Sequence, residues 1–293
     1  MSSAAWIMLT GSLVGISCGI VGCYLILRKM AMLADAISHT VLLGIVLAFL
    51  FTGSLSNVFM VIGAGVIGVF TAFLVQLLHS KGIQSDAAIG VVFTSMFAFG
   101  VVLVSLFAKQ VHLDVEHVLY GEIAYVPWNT LTIAGMELGP QAVWVLSIIL
   151  VINIILILFF YKEFKISSFD PQMAAAIGVP VVFIHYLLMG MTSLTAVSAF
   201  ESVGAILVVA MLIVPGAAAY LLTDKLHIML ILSAIIGVLS AIAGYQIAYI
   251  FNVSIAGAMA SAAGLIFFIV FIASPKHGLI AKRLATRNVS KEL

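Results

Sequence analysis

Residues 30–51, MAMLADAISHTVLLGIVLAFLF, read as a membrane-spanning helix that carries two ionisable side chains, Asp35 and His39. Residues four apart lie on one helix face. A charge at the centre of a spanning helix costs roughly 2.5–3.5 kcal/mol on insertion scales, so such residues face a protein interior or an aqueous path and mark ion pathways. A carboxylate with an imidazole is a ligand set for a divalent transition metal, which makes Asp35 and His39 the candidate metal ligands. Arg28 precedes Asp35 by seven residues, about 10 Å of helix, so an interfacial cap with His39 packed above it is the competing structural reading.

The rest of the chain supplies the membrane setting. Of its 293 residues 64% are hydrophobic and 8% charged, and the mean hydropathy is +1.31. That composition describes an all-α, polytopic integral membrane protein forming one transmembrane domain over 1–293. With about 20 apolar residues needed per crossing, candidate spans fall at 4–27, 31–52, 57–78, 87–108, 140–161, 181–200, 202–223, 226–250 and 255–274. No loop separates the two segments that meet at Glu201, so the count is eight or nine. The first apolar stretch has no basic leader region before it and reads as a retained span. Cys18 and Cys23 both fall inside that span and read as packing residues.

Cation placement sets the expected orientation. With the N-terminus outside, nine spans put Arg28, Lys29, Lys81, Lys162, Lys165, Lys225, Lys276, Lys282, Arg283, Arg287 and Lys291 in the cytoplasm with the C-terminus, and only Lys109 outside. The net charge of +1 says little about partners, and no nucleic-acid partner is expected.

Small residues at spacing four, Gly11, Gly15 and Gly19 in the first span and Ala260 and Gly264 in the last, read as close helix packing. GAGVIG at 63–68 has the spacing of a dinucleotide fingerprint but follows no strand. The chain has no HExxH or GxxxxGK[ST] motif, so it is not expected to be an enzyme, and ATP would be hydrolysed by another polypeptide.

Two connectors stand out. Residues 162–180, KEFKISSFDPQMAAAIGVP, read as a short cytoplasmic helix with Asp170 as N-cap, Pro171 at the first helical position, and Gly178 and Pro180 ending it. It reads as an ordinary surface helix or as a rigid docking element. Residues 109–139 form the long outer loop, where His112, Asp114, Glu116 and His117 read as a solvated loop or a weak metal site. Glu201 reads as an interface residue or a path-lining one, and Pro215 frees the Met211 carbonyl and invites a kink.

LRKMAMLADAISHTVLLGIVLAFL (27–50), LYGEIAYVPWNTL (119–131), FDPQMAAAIGVP (169–180), VGAILVVAMLIVPGAAAYLLTD (203–224) and SPKHGL (274–279) resemble, in order and nearly end to end, the membrane permease subunits of metal-type ABC importers, which carry manganese, zinc or ferrous iron. The resemblance implies a permease fold like that of vitamin-B12 and metal importers, set in a bacterial cell membrane. It implies a second permease chain, identical or a close paralogue, two cytoplasmic ABC ATPase subunits that engage the Asp170–Pro180 segment, and an extracellular or periplasmic metal-binding protein. It also implies that Asp35 and His39 contact the ion, which is cargo rather than a permanently bound cofactor. Glu201 stands where zinc-type members often have glutamine, which favours Mn2+ over Zn2+ or Fe2+. Two rival classes remain: an ion-coupled secondary transporter, which would not need the docking segment, and an intramembrane metalloenzyme, which lacks a general base beside an open three-ligand site.

Overall fold

The computed structural model describes residues 2–53, 57–107, 123–133 and 136–274, with the side chains of 57, 58, 61, 132, 133, 136–138 and 201 left aside. His112, Asp114, Glu116, His117 and the cations from Lys276 onward lie outside the described residues.

The chain runs α1 (Ser3–Leu27), α2 (Ala31–Thr52), α3 (Asn57–Ser80), α4 (Ser85–Phe107), a 3-10 turn (Val126–Trp128), β1 (Thr130–Ile133), β2 (Met136–Pro140), α5 (Gln141–Phe159), α6 (Tyr161–Phe169), α7 (Pro171–Ala176), α8 (Val181–Val203), α9 (Ala205–Leu222), α10 (Leu226–Phe251) and α11 (Ile255–Ala273). Among the described residues nine helices are long and apolar enough to cross a membrane, all but α6 and α7. The count of nine replaces the alternative of eight.

The uncertain boundary moves by a few residues. Glu201 does not open a span: α8 continues through it, and the break comes at Gly204, with φ +81° and ψ +161°. That backbone region is essentially restricted to glycine. The Gly204 N–H donates to Phe200 O at 3.0 Å and its carbonyl accepts from Val208 N at 3.3 Å, so both helix ends are satisfied without a loop.

A second departure is the antiparallel β1–β2 ribbon, which the helical reading of the sequence omitted. Three of the four residues Thr130–Ile133 are β-branched, which suits a strand, and the ribbon is tied down by a Gln141 N–H to Asn129 O bond of 2.9 Å. Trp6 lies directly against Gly139, where even a Cβ would come within 2.8 Å of the indole. Trp6, Trp128 and Trp144 thus gather at the ribbon end of the bundle, the amphipathic belt expected at a membrane surface.

The spans pack in two groups. In one, α1, α9, α10 and α11 interlock; in the other, α2 packs on α3 and α4, and α3 on α8, while α5 bridges α1 and α8. The glycine stripe of α1 explains the first group. A Cβ on Gly15 would lie 2.7 Å from the Gly237 carbonyl carbon of α10, one on Gly19 2.6 Å from Ser233 Oγ, and one on Gly22 would overlap the Leu212 carbonyl of α9. The Ala260/Gly264 pair behaves otherwise, since nothing lies within 4 Å of a Cβ on Gly264; the close approach on α11 is instead Met259 against Gly244 of α10. GAGVIG is packing surface: Gly63 and Ala64 meet Gly44 of α2, and Gly68 meets Ser193 of α8. Pro215 is buried within α9, which continues as helix on both sides of it.

Candidate functional site

Asp35 and His39 sit in the second and third turns of α2, whose opposite face, Leu33, Ala34, Ile37, Thr40 and Val41, is buried in the bundle. The face that carries the pair is open, with His39 33% and Asp35 40% exposed. His39 Nε2 and Asp35 Oδ1 are 3.6 Å apart, beyond hydrogen-bond length, so neither donor atom is consumed by the other. The imidazole leans on two aromatic rings of α4, Phe93 with centroids 5.1 Å apart and Phe97 edge-on at 5.9 Å. Those rings limit its rotation and leave the carboxylate side free. Among the described residues no third His, Cys, Asp or Glu completes a cluster of three. Among the described residues the face of α2 therefore carries one carboxylate and one imidazole side by side, both partly exposed.

The backbone at Glu201 lies in the last turn of α8, at the ribbon end, whereas Asp35 lies near the beginning of α2 at the end where α1 finishes. The bundle does not bring the three together.

The connector is two helices rather than one. α6 ends at Asp170, and Asp170 Oδ1 accepts the Met173 N–H at 2.9 Å, capping α7 with Pro171 in its first turn. Gly178 adopts φ +85°, and Val179 N donates to Ala174 O at 3.0 Å, the double-bonded helix stop that glycine permits. Pro180 then caps α8. The four residues expected to shape this segment do so. α7 presents Met173 and Ile177 to the surface, next to exposed Phe169 at the end of α6.

Residues 2–274 match the model of the ABC 3 transport family. The chain belongs to that family. Within it, the chain is 64% identical over 292 residues to the manganese transport system membrane protein MntD of Bacillus subtilis (strain 168), covering 100% of this chain and 99% of the relative. It is 41% identical to the zinc transport system membrane protein TroD of Treponema pallidum (strain Nichols), over 98% of this chain and 78% of that one. Among solved structures, PsaBC from Streptococcus pneumoniae in complex with Fab aligns at a TM-score of 0.78 and 36% identity, over 94% of each chain. The polytopic ABC-permease fold that the motifs implied is therefore the fold of this ABC 3 family member.

Sequence reasoning missed two parts of the site. Phe93 and Phe97 are four apart in VVFTSMFAFG, but no pattern in the sequence says that this face of α4 meets His39. Arg28 entered only as one of the counted cations and as a marker of the depth of Asp35. In the folded chain its Nε and Nη2 donate to Ser168 Oγ at 3.1 Å and Ser167 Oγ at 2.7 Å, and burial pushes its guanidinium down to about 10, still charged at neutral pH.

Proposed function

We propose that this chain is the membrane subunit of an ATP-driven importer of divalent transition-metal ions, with Mn(II) as cargo. The observation that carries the reading is the Asp35/His39 face of α2, partly exposed on a helix that otherwise meets apolar surroundings. A carboxylate left against lipid is costly. A second permease chain, identical or a close paralogue, covers it, and two-fold symmetry then brings two Asp and two His to one axis. Four hard and borderline ligands suit Mn(II), and a site shared between subunits opens when the subunits move apart.

The remaining parts follow. The basic residues of the α6 end, Arg28, Lys29, Lys81, Lys162, Lys165 and Lys225 among those described, support reading it as the cytoplasmic end, with the N-terminus outside. Two ABC ATPase subunits dock there on Phe169, Met173 and Ile177 and hydrolyse the ATP. An extracellular or periplasmic metal-binding protein delivers the ion at the ribbon end. No metal stays bound between cycles. Asp170→Ala removes the α7 cap, at a cost of about 1 kcal/mol, and is expected to reduce co-purification of the ATPase while leaving the spans folded, as read by pull-down and thermal melting of the permease alone.

Zn(II) is the second reading. The 41% identity to a zinc transport protein favours it, as does the general order of affinity, in which Zn(II) outbinds Mn(II) at most nitrogen and oxygen sites. Uptake by the complete complex in proteoliposomes separates them. The expected result is ATP-dependent accumulation of Mn(II), with equimolar Zn(II) competing but not accumulating. Accumulation of Zn(II) alone assigns zinc as cargo, and uptake that persists without ATP returns the chain to the secondary-transporter class.

A further inference from the structure

Arg28 occupies the joint between α1 and α2. α1 ends with Lys29 at φ +57° and a Met30 N–H to Leu25 O bond of 2.8 Å, and α2 begins at Ala31, four residues before Asp35. α1 and α2 scarcely touch beyond that joint. The Arg28 side chain reaches sideways into α6, where its two hydrogen bonds end on Ser167 and Ser168, both buried and two to three residues before the Asp170 cap. The Ser167 hydroxyl spends its own proton on the Glu163 carbonyl at 2.6 Å, leaving its lone pairs for the guanidinium. One helical turn before Arg28, the buried Tyr24 ring packs on buried Phe164 of α6 with centroids 5.1 Å apart.

Among the described residues no carboxylate pairs with Arg28. Its two hydrogen bonds offset the cost of partly burying the charge, and a well-packed apolar group of similar shape can often serve stability as well as a buried charged cluster. The planar fork, by contrast, fixes direction at two points as lysine does not. The arrangement therefore fits position better than it fits stability. Its two ends are the segment bearing the α7 cap and the residues that lead into Asp35 and His39.

We propose that Arg28 is a positioning residue that ties α6 to the beginning of α2, so that a displacement of the α6–α7 segment is delivered to the Asp35/His39 face. The proposal rests on the reading of α6–α7 as the ATPase docking segment. Arg28 touches neither the ion nor ATP, and its effect lies in how many ions move per ATP hydrolysed.

The experiment uses the complete complex of permease, ATPase subunits and binding protein in proteoliposomes, measuring Mn(II) uptake and phosphate release together. In Arg28→Ala, and separately in the double variant Ser167→Ala/Ser168→Ala, the ATPase stays bound and ATP hydrolysis stays within about twofold of the unmodified complex. Ions taken up per ATP fall about tenfold, within the range of ordinary coupling free energies. Arg28→Lys keeps the charge, loses the fork and stays uncoupled. The triple variant is no worse than either parent, because both remove one shared interaction. An unchanged ions-per-ATP ratio in the serine double variant overturns the proposal, whatever Arg28→Ala does, and so do effects that multiply in the triple variant. The docking reading fails by a different result, retention of ATPase by a Met173→Asp/Ile177→Asp permease.

Discussion

Asp35→Asn abolishes metal uptake and leaves the permease folded and assembled. The substitution keeps the shape of the side chain and the helix around it, and removes only the negative charge that a divalent cation needs. On structural grounds it is mild or even favourable, because the carboxylate is the costly member in a membrane helix, at roughly 2.5–3.5 kcal/mol when central. A loss of transport with an unchanged or raised melting temperature thus separates ion handling from an interfacial cap. His39→Ala gives the same loss of transport. It also removes the ring that packs on Phe93 and Phe97, so a small fall in stability accompanies it. Uptake at the unmodified rate under limiting Mn(II), in either variant, would take the pair out of the ion path.

The largest effect on stability is expected at Gly15. Its Cα faces Gly237 so closely that a Cβ would lie 2.7 Å from that carbonyl carbon, with backbone rather than a flexible side chain in the way. Gly15→Val forces α1 and α10 apart and breaks the interlocked group to which α9 and α11 also belong. Overpacking of a tight core costs about 1–3 kcal/mol or more, and a backbone-on-backbone contact belongs at the upper end. The expected readout is loss of monodisperse protein in detergent. Gly264→Ala is the control. Its site is open, and replacing glycine inside a helix gains up to about 1 kcal/mol, so its melting temperature is unchanged or higher. Equal damage from both would remove close packing as the role of the α1 stripe.

Much of the fold was legible because a bilayer leaves the chain few options. Every span near 20 residues long announced itself through hydropathy, and the turn residues Asp170, Pro171, Gly178 and Pro180 act locally, through bonds to their own neighbours. The misreadings have non-local or very short causes. Gly204 separates two helices with one residue, below the resolution of any hydropathy window, so the boundary was drawn at the nearest charge, Glu201. Gly264 has the same spacing signature as Gly15, yet only the partner helix decides whether the small residue is needed. The ribbon at Thr130–Pro140 was hidden because four or five residues of strand carry too little periodicity to stand out from a polar loop.

The candidate site divides along the same line. Asp35 and His39 were visible because they are expensive where they stand, and an i, i+4 relation survives folding unchanged. The Phe93/Phe97 wall and the Ser167/Ser168 acceptors of Arg28 come from segments dozens to over a hundred residues away, and each is chemically ordinary in its own stretch. The sequence offered Arg28 only as a counted cation and a marker of depth, where the folded chain uses it as a fork with a direction.

Gly204 has a mechanical consequence. The chain passes between the two helix groups at the Arg28–Met30 turn and at Gly204, which sit at opposite ends of the bundle, and neither passage has slack to absorb relative motion. Short joints at opposite ends favour tilting of one group on the other over sliding. Inserting two or three flexible residues at Gly204, where one residue with φ +81° makes the whole connection, is therefore expected to lower metal uptake while leaving both helix groups folded, as read by transport assay and thermal melting.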